Sequence, residues 1–233
     1  MSRMACDKLI LALDVEPADR ALALARRLAP YVGTFKIGPA LVLGGGPAFL
    51  DSIRALGKRL FLDLKLYDIP ETVARTAGQA AAQGADFLTV HVSGGARMIA
   101  AARETAGGNL KLLGVTVLTS FTRGDLQREW RMEETVADRV VFWAKLAMDN
   151  GAHGVVCSGL ELPGIREKLG PDVLTVVPGI RPVAGTADDQ RRTMGPRDAI
   201  RLGANYIVVG RPIVAADDPE AAAEALVGEI EEA

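Results

Sequence analysis

The chain has 233 residues, 49% of them hydrophobic and 5% aromatic, with 27 basic and 29 acidic side chains and a formal net charge of −2. An apolar content that high excludes a disordered chain, and the charge excludes a broad basic field for gripping nucleic acid. Cys6 and Cys157 form no CxxC or Cys/His cluster, and the apolar run 9–13 is too short for a signal-peptide core or a membrane span. A soluble, cytoplasmic protein with no nucleic-acid or membrane partner is therefore expected.

Strands are expected where β-branched or leucine-rich runs recur, over 9–15, 34–38, 59–66, 87–92, 111–119, 154–157, 174–177 and 206–209. Alanine-rich amphipathic stretches lie between them, among them 17–28, 47–56, 71–83 and 135–150, each long enough for a crossover helix. Gly57, Gly84, Gly151 and Gly203 fall where helices should stop, and Asp217-Asp218-Pro219 opens a last helix over 220–231. The segment 119–134 is longer and more polar than the other connections and reads as a surface loop with a short helix. Alternation of strand and helix implies parallel strands, and eight units of about 29 residues fit a single (β/α)8 TIM barrel better than an open sheet. No linker divides the chain, so residues 1–233 are expected to form one catalytic domain.

The third strand runs into Asp63-Leu64-Lys65-Leu66-Tyr67-Asp68-Ile69-Pro70. Strand side chains alternate, so Asp63 and Lys65 should share one face, with Leu62, Leu64 and Leu66 on the other. Charges in such a place need partners, either in a salt-bridged strand end or in a site. A barrel carries its chemistry at the C-terminal ends of its strands. Asp14, Lys36, Asp63 with Lys65, Thr119-Ser120, Arg181 and Arg211 all close strands at that end, which favours a shared site. Lys36, Asp63 and Lys65 come from adjacent strands ~4.8 Å apart and can form an alternating chain of charge with Asp68. Carboxylates beside a lysine favour its ammonium form, which suits a proton donor and not a Schiff-base nucleophile.

Gly179-Ile180-Arg181 and Gly210-Arg211-Pro212 close the last two strands, where barrels commonly bind phosphate, and the polar stretch 182–192 between them reads as a lid. His91 and His153 have no second ligand at metal spacing. Cys157 reads as a small buried filler, Trp130 and Trp143 as packing residues, and Ser93-Gly94-Gly95 as a turn.

Taken in order, Leu11-Ala12-Leu13-Asp14, Phe35-Lys36-Ile37-Gly38, the segment from Asp63 to Pro70, Val117-Leu118-Thr119-Ser120, Val177-Pro178-Gly179-Ile180-Arg181-Pro182 and Val208-Val209-Gly210-Arg211-Pro212-Ile213 resemble the bacterial-type orotidine 5′-monophosphate decarboxylases along the whole chain. The resemblance implies decarboxylation of orotidine 5′-monophosphate to uridine 5′-monophosphate in pyrimidine biosynthesis, with no metal and no other cofactor. It implies Lys65 as the proton donor to C6, Asp63 beside the departing CO2, and Lys36 orienting Asp63 and touching the ribose. Asp14 would bind the ribose, Thr119 the pyrimidine, Gln190 both base and phosphate from the lid, and Arg181, Gly210 and Arg211 the phosphate. Asp68, with Ile69 and Thr72 nearby, would reach the partner's site in a homodimer with shared active sites.

Two other readings stay open. A related barrel of the 3-keto-gulonate-phosphate decarboxylase or hexulose-phosphate synthase kind shares DxKxxD but holds Mg2+ partly through an acid on strand two, where this chain has Lys36. A catalytically silent nucleotide-binding barrel would be marked by loss of Lys65 or Asp63, and both are present.

Overall fold

The computed structural model describes residues 2–181 and 193–233. Eight parallel strands, β1 (Leu9–Ala12), β2 (Thr34–Ile37), β3 (Arg59–Leu66), β4 (Phe87–His91), β5 (Lys111–Val115), β6 (Gly154–Val156), β7 (Leu174–Val177) and β8 (Tyr206–Val209), pair in sequence order. The barrel closes with β8 against β1. Around it run α1 (Arg3–Lys8), α2 (Ala18–Leu28), α3 (Pro39–Arg54), α4 (Pro70–Ala82), α5 (Ala96–Ala106), α6 (Arg123–Trp130), α7 (Val136–Asp149), α8 (Leu162–Leu169), α9 (Pro196–Arg201), α10 (Arg211–Val214) and α11 (Pro219–Glu231).

Strand alternation divides the apolar residues into two bodies. Leu9, Leu11, Phe35, Leu60, Leu62, Leu88 and their outward-facing equivalents meet the helices in one large cluster. Ile10, Ala12, Phe61, Phe87, Leu113, Val176 and Val208 fill the barrel interior in a second. Phe87 meets Phe61 and Tyr206 edge-on at 5.8 and 5.4 Å, and the Arg59 guanidinium covers the Tyr206 ring at 5.0 Å. This packed interior fills the barrel, so a cavity at either end stops at it.

Several boundaries differ from the sequence expectation. The strand expected over 9–15 stops at Ala12 and that over 111–119 at Val115, which leaves Asp14 and Thr119 in connections above the barrel. At β5 the last ladder bond runs from the Thr116 amide to the Val156 carbonyl at 3.3 Å, and the Thr116 hydroxyl donates to the same carbonyl at 2.8 Å. The helix expected over 47–56 begins at Pro39 and is broken at Gly46, where φ is 61° ahead of Pro47. Helix α1 was not expected; Ser2 caps it by accepting from the Ala5 amide at 3.2 Å, and it packs on α11. The short helix foreseen within 119–134 is α6, opened by a Thr122–Asp125 capping box.

The β3–β4 register shifts. Leu62 lies opposite Leu88 and Leu66 opposite Val90, so β3 uses four residues where β4 uses two. Lys65 sits inside this bulge with φ of 48°, a left-handed backbone that lysine rarely adopts. Regular alternation does not hold here, although Asp63 and Lys65 do meet.

At the opposite end of the barrel Arg166 ties α8 to β7 and the α9–β8 turn. Its guanidinium donates to the carbonyls of Val173 and Gly203 at 2.7 and 2.6 Å, to the Thr175 hydroxyl at 2.8 Å and to the Asn205 side-chain carbonyl at 2.9 Å. Gly203 has φ of 98°, and a Cβ there would stand 2.9 Å from Arg166 Nε, so glycine serves both the turn and the crossing arginine. Removing Arg166 strands several partly buried acceptors. Arg166→Ala is expected to lower stability by about 3 kcal/mol, read as a lower urea midpoint at unchanged m value.

Candidate active site

The strands of a parallel barrel all end on one side, and here that side opens into a cavity of about 530 Å³. Its floor includes Ala12, Phe61, Val176 and Val208, the top of the interior cluster. Register sets the lowest charged layer: Lys36 lies opposite Ala12 on β1 and Phe61 on β3, level with the top of the apolar floor. Asp63 follows Phe61 by two residues and projects beside Lys36.

Asp63 is 7% exposed. Its Oδ2 accepts from Lys36 Nζ at 2.9 Å and Lys65 Nζ at 2.8 Å, and its Oδ1 accepts from the Thr89 hydroxyl at 3.0 Å. Burial pushes the carboxyl upward, but the two ammonium groups together outweigh it and hold the pKa down at about 2. The carboxylate is thus ionised at any physiological pH. His91, at the end of β4, is half-buried and meets Tyr67 edge-on at 6.0 Å. Burial and the Lys65 charge push its pKa down, with Asp63 opposing, which favours the neutral imidazole.

Across the cavity stand Arg181 after β7 and Arg211 at the start of α10. Arg181 is fixed by its backbone, its amide donating to Met194 O at 3.0 Å, and its Nη1 donates to Ile180 O at 3.1 Å. Gly210 lets β8 approach β1; a Cβ there would lie 3.3 Å from that of Ala12 and 3.9 Å from Asp14 Oδ2. Pro212 sits in the first turn of α10, where a missing N–H costs nothing. Because β8 closes on β1, the order around the mouth is Arg181, Gly210 and Arg211, then Asp14, Lys36, and Asp63 with Lys65.

Eight of the residues singled out from the sequence line this cavity: Asp14, Lys36, Asp63, Lys65, Thr119, Arg181, Gly210 and Arg211. Asp68, Ile69 and Thr72 do not. Within one chain Asp68 does not extend the Lys36–Asp63–Lys65 chain of charge as expected; it is exposed, and its Oδ1 accepts from the Ile69 amide at 2.6 Å. The backbone turns outward at the bulge before Asp68 is reached. Gln190 and the expected lid lie outside the described residues. Sequence reasoning missed Thr89, whose position in an apolar strand gave no signal. It also read Cys157 only as a filler; the residue is 1% exposed and lines the cavity at the end of β6. Trp130 and Trp143 pack together at 5.6 Å, and Ser93 and Gly94 form a 3-10 turn after β4. Among the described residues no group of three or more His, Cys, Asp or Glu side chains could hold a metal ion, and no helix is long and apolar enough to cross a membrane.

Comparison with known proteins finds relatives along the whole chain. The crystal structure of orotidine 5′-phosphate decarboxylase from Lactobacillus acidophilus superposes with a TM-score of 0.84 at 36% identity, covering 96% of this chain and 99% of that one. Orotidine 5′-phosphate decarboxylase from Moorella thermoacetica is 45% identical over 99% of this chain and 95% of its own length. That from Desulfosudis oleivorans is 46% identical over 100% of this chain and 96% of its own. The family model named for orotidine 5′-phosphate decarboxylase and HUMPS matches residues 7–226, and with a barrel, a charged strand-end cluster and relatives of full length in agreement, the chain belongs to the orotidine 5′-phosphate decarboxylase / HUMPS family.

Proposed function

We propose that this carboxy-lyase of pyrimidine biosynthesis converts orotidine 5′-monophosphate to uridine 5′-monophosphate through a C6 carbanion, with Lys65 as proton donor and no cofactor. One observation carries the reading: a buried carboxylate, Asp63, is gripped by two ammonium groups at one end of a cavity whose other end holds two arginines. The order around the mouth matches the substrate. Arg181, Gly210 and Arg211 would hold the phosphate, Asp14 and Lys36 the ribose, and Thr119 with Lys65 the pyrimidine, while Gln190 would join base to phosphate.

Loss of CO2 from C6 leaves an electron pair in the ring plane with no conjugated sink. Accelerations at the upper end of the enzymatic range correspond to ~23 kcal/mol. Repulsion between Asp63 and the substrate carboxylate at ~4 Å supplies on the order of 4 kcal/mol at an effective dielectric of 20. The larger share must therefore come from a preorganised cation facing the developing charge, the role of the Lys65 ammonium. The C6–carboxylate bond breaks, its electrons stay on C6, CO2 leaves, and a proton passes from Lys65 Nζ to C6; solvent then reprotonates the amine. Phosphate binding far from C6 contributes by driving closure over the site. A metal-dependent reaction fits less well, because Lys36 and Lys65 already occupy Asp63 Oδ2 and repel a cation. A reducing cytoplasm suits the two buried free thiols, Cys6 and Cys157.

The proposal includes a homodimer with shared sites. Exposed Asp68 stands between Tyr67 and Ile69, which are 63% and 65% exposed, an apolar pair that a second copy would cover. Lys65 also borders a neighbouring depression of about 700 Å³ lined by Tyr67, His91, Trp130 and Met132, a route by which a partner's carboxylate could approach.

Loss of orotidine 5′-monophosphate absorbance, followed with purified protein in EDTA, tests the activity. Wild-type turnover should persist in the chelator, and Lys65→Ala should retain less than about a tenth of it while still binding uridine 5′-monophosphate; activity only after metal is restored would overturn the cofactor-free route. Asp63 also links stability to pH. Its pKa is depressed from 3.8 to about 2, so its contribution, about 2 kcal/mol, is complete above 3.8 and lost as pH falls through 2. The urea-midpoint advantage of the parent over Asp63→Asn should therefore be full at pH 6 and shrink between pH 4 and pH 2. Finally, inactive Lys65→Ala and Asp68→Ala chains, mixed equally and allowed to exchange, should regain about a quarter of wild-type activity, since half the dimers are mixed and each then has one intact site. Exchange proven by mass without recovered activity would remove Asp68 from the partner's site.

A further inference from the structure

We infer that Thr89 is a positioning residue for the decarboxylation, a clasp that fixes both members of the Asp63–Lys65 pair from the neighbouring strand; this rests on the reading of the site given above. Thr89 lies on β4 opposite the β3 bulge and is fully buried. Its hydroxyl donates to Asp63 Oδ1 at 3.0 Å and accepts from the Lys65 amide at 2.9 Å. A hydroxyl has one proton, so donation to the carboxylate leaves a lone pair for the amide, and the two bonds specify each other.

The clasp acts where the backbone most needs one. Inside the bulge the regular β3–β4 ladder is interrupted, and Lys65 has φ of 48° without the freedom of glycine. The Thr89 hydroxyl stands in for the missing ladder acceptor. Meanwhile its bond to Oδ1 sets the carboxylate plane, so that Oδ2 faces both Lys36 and Lys65. A β-branched side chain in a filled core has little rotamer freedom, which makes it a stiff support for long, partly exposed Lys65. Misplacing a catalytic group by ~1 Å can cost ~100-fold in rate, so the loss of this support should appear in turnover more than in binding.

The test compares Thr89→Val, which keeps the shape and removes the hydroxyl, with Thr89→Ser, which keeps the hydroxyl. Thr89→Val should lower kcat at least tenfold with KM changing less than the turnover does, and Thr89→Ser should lie closer to the parent than to the valine variant on a logarithmic scale. A fall in kcat smaller than tenfold, a serine variant nearer to valine, or a KM that rises as much as kcat falls would overturn the inference. If Thr89→Val does not fold, Thr89→Ala takes its place under the same criteria. Hydrogen exchange at the Lys65 amide separates this inference from the assigned substrate. It should quicken at least tenfold in the hydroxyl-less variant and stay near the parent rate in Thr89→Ser; unchanged exchange in the hydroxyl-less variant refutes the clasp whatever the reaction. An inactive parent with the expected exchange pattern would refute the reading of the substrate and leave the clasp standing.

Discussion

The arrangement turns on one buried ion: the Asp63 carboxylate, sealed above an apolar floor and held by Lys36 and Lys65. A lone carboxylate in that position would take up a proton, because desolvation disfavours its charged form. Two ammonium groups reverse the preference and keep a negative charge on the cavity wall. Each lysine in turn has its charge balanced by the same oxygen, so the three groups form one electrostatic unit. Removing any member leaves an unbalanced charge in a poorly solvated place.

The closed barrel is what brings this unit together. Lys36 comes from β2, Asp63 and Lys65 from β3, and Thr89 from β4, and parallel register brings their functional ends to one height. The bulge in β3 is the local departure that adds Lys65 to the pair. A regular strand would continue its ladder to β4 through this segment. Here the strand bends, a side-chain hydroxyl replaces a backbone acceptor, and an unfavourable φ is held by the packing around it.

Closure of β8 onto β1 gives the mouth its polarity. The two arginines come late in the chain and the carboxylate–lysine unit early, yet the closed sheet leaves only Asp14 between them in the order around the mouth. A molecule with an anionic tail and a second acidic group at its head can span that sequence of charges. Gly210 belongs to the same arrangement, since it lets β8 approach β1 next to Arg211 at the cavity mouth.

Most of this was legible in the chain itself because the controlling signals are local. Short apolar runs mark the strands, glycines in left-handed turns mark helix ends, and polar residues immediately after each run mark the functional rim. Those signals gave the eight strands, the position of α6, and Asp14, Lys36, Asp63, Lys65, Thr119, Arg181, Gly210 and Arg211 as residues of one cavity. What remained hidden depends on partners far away in sequence. Where β1 and β5 stop is decided by pairing with β2 and β6; the short polar helix α1 is held by Ser2 and α11, and carries no periodic signal of its own. Thr89 looks like any threonine in a buried strand until β4 is set against the bulge, and Asp68 looks like a fourth member of the charge chain until the backbone turns it outward. Composition and period specify which residues face the core, whereas the register of one strand against the next decides which polar atoms touch.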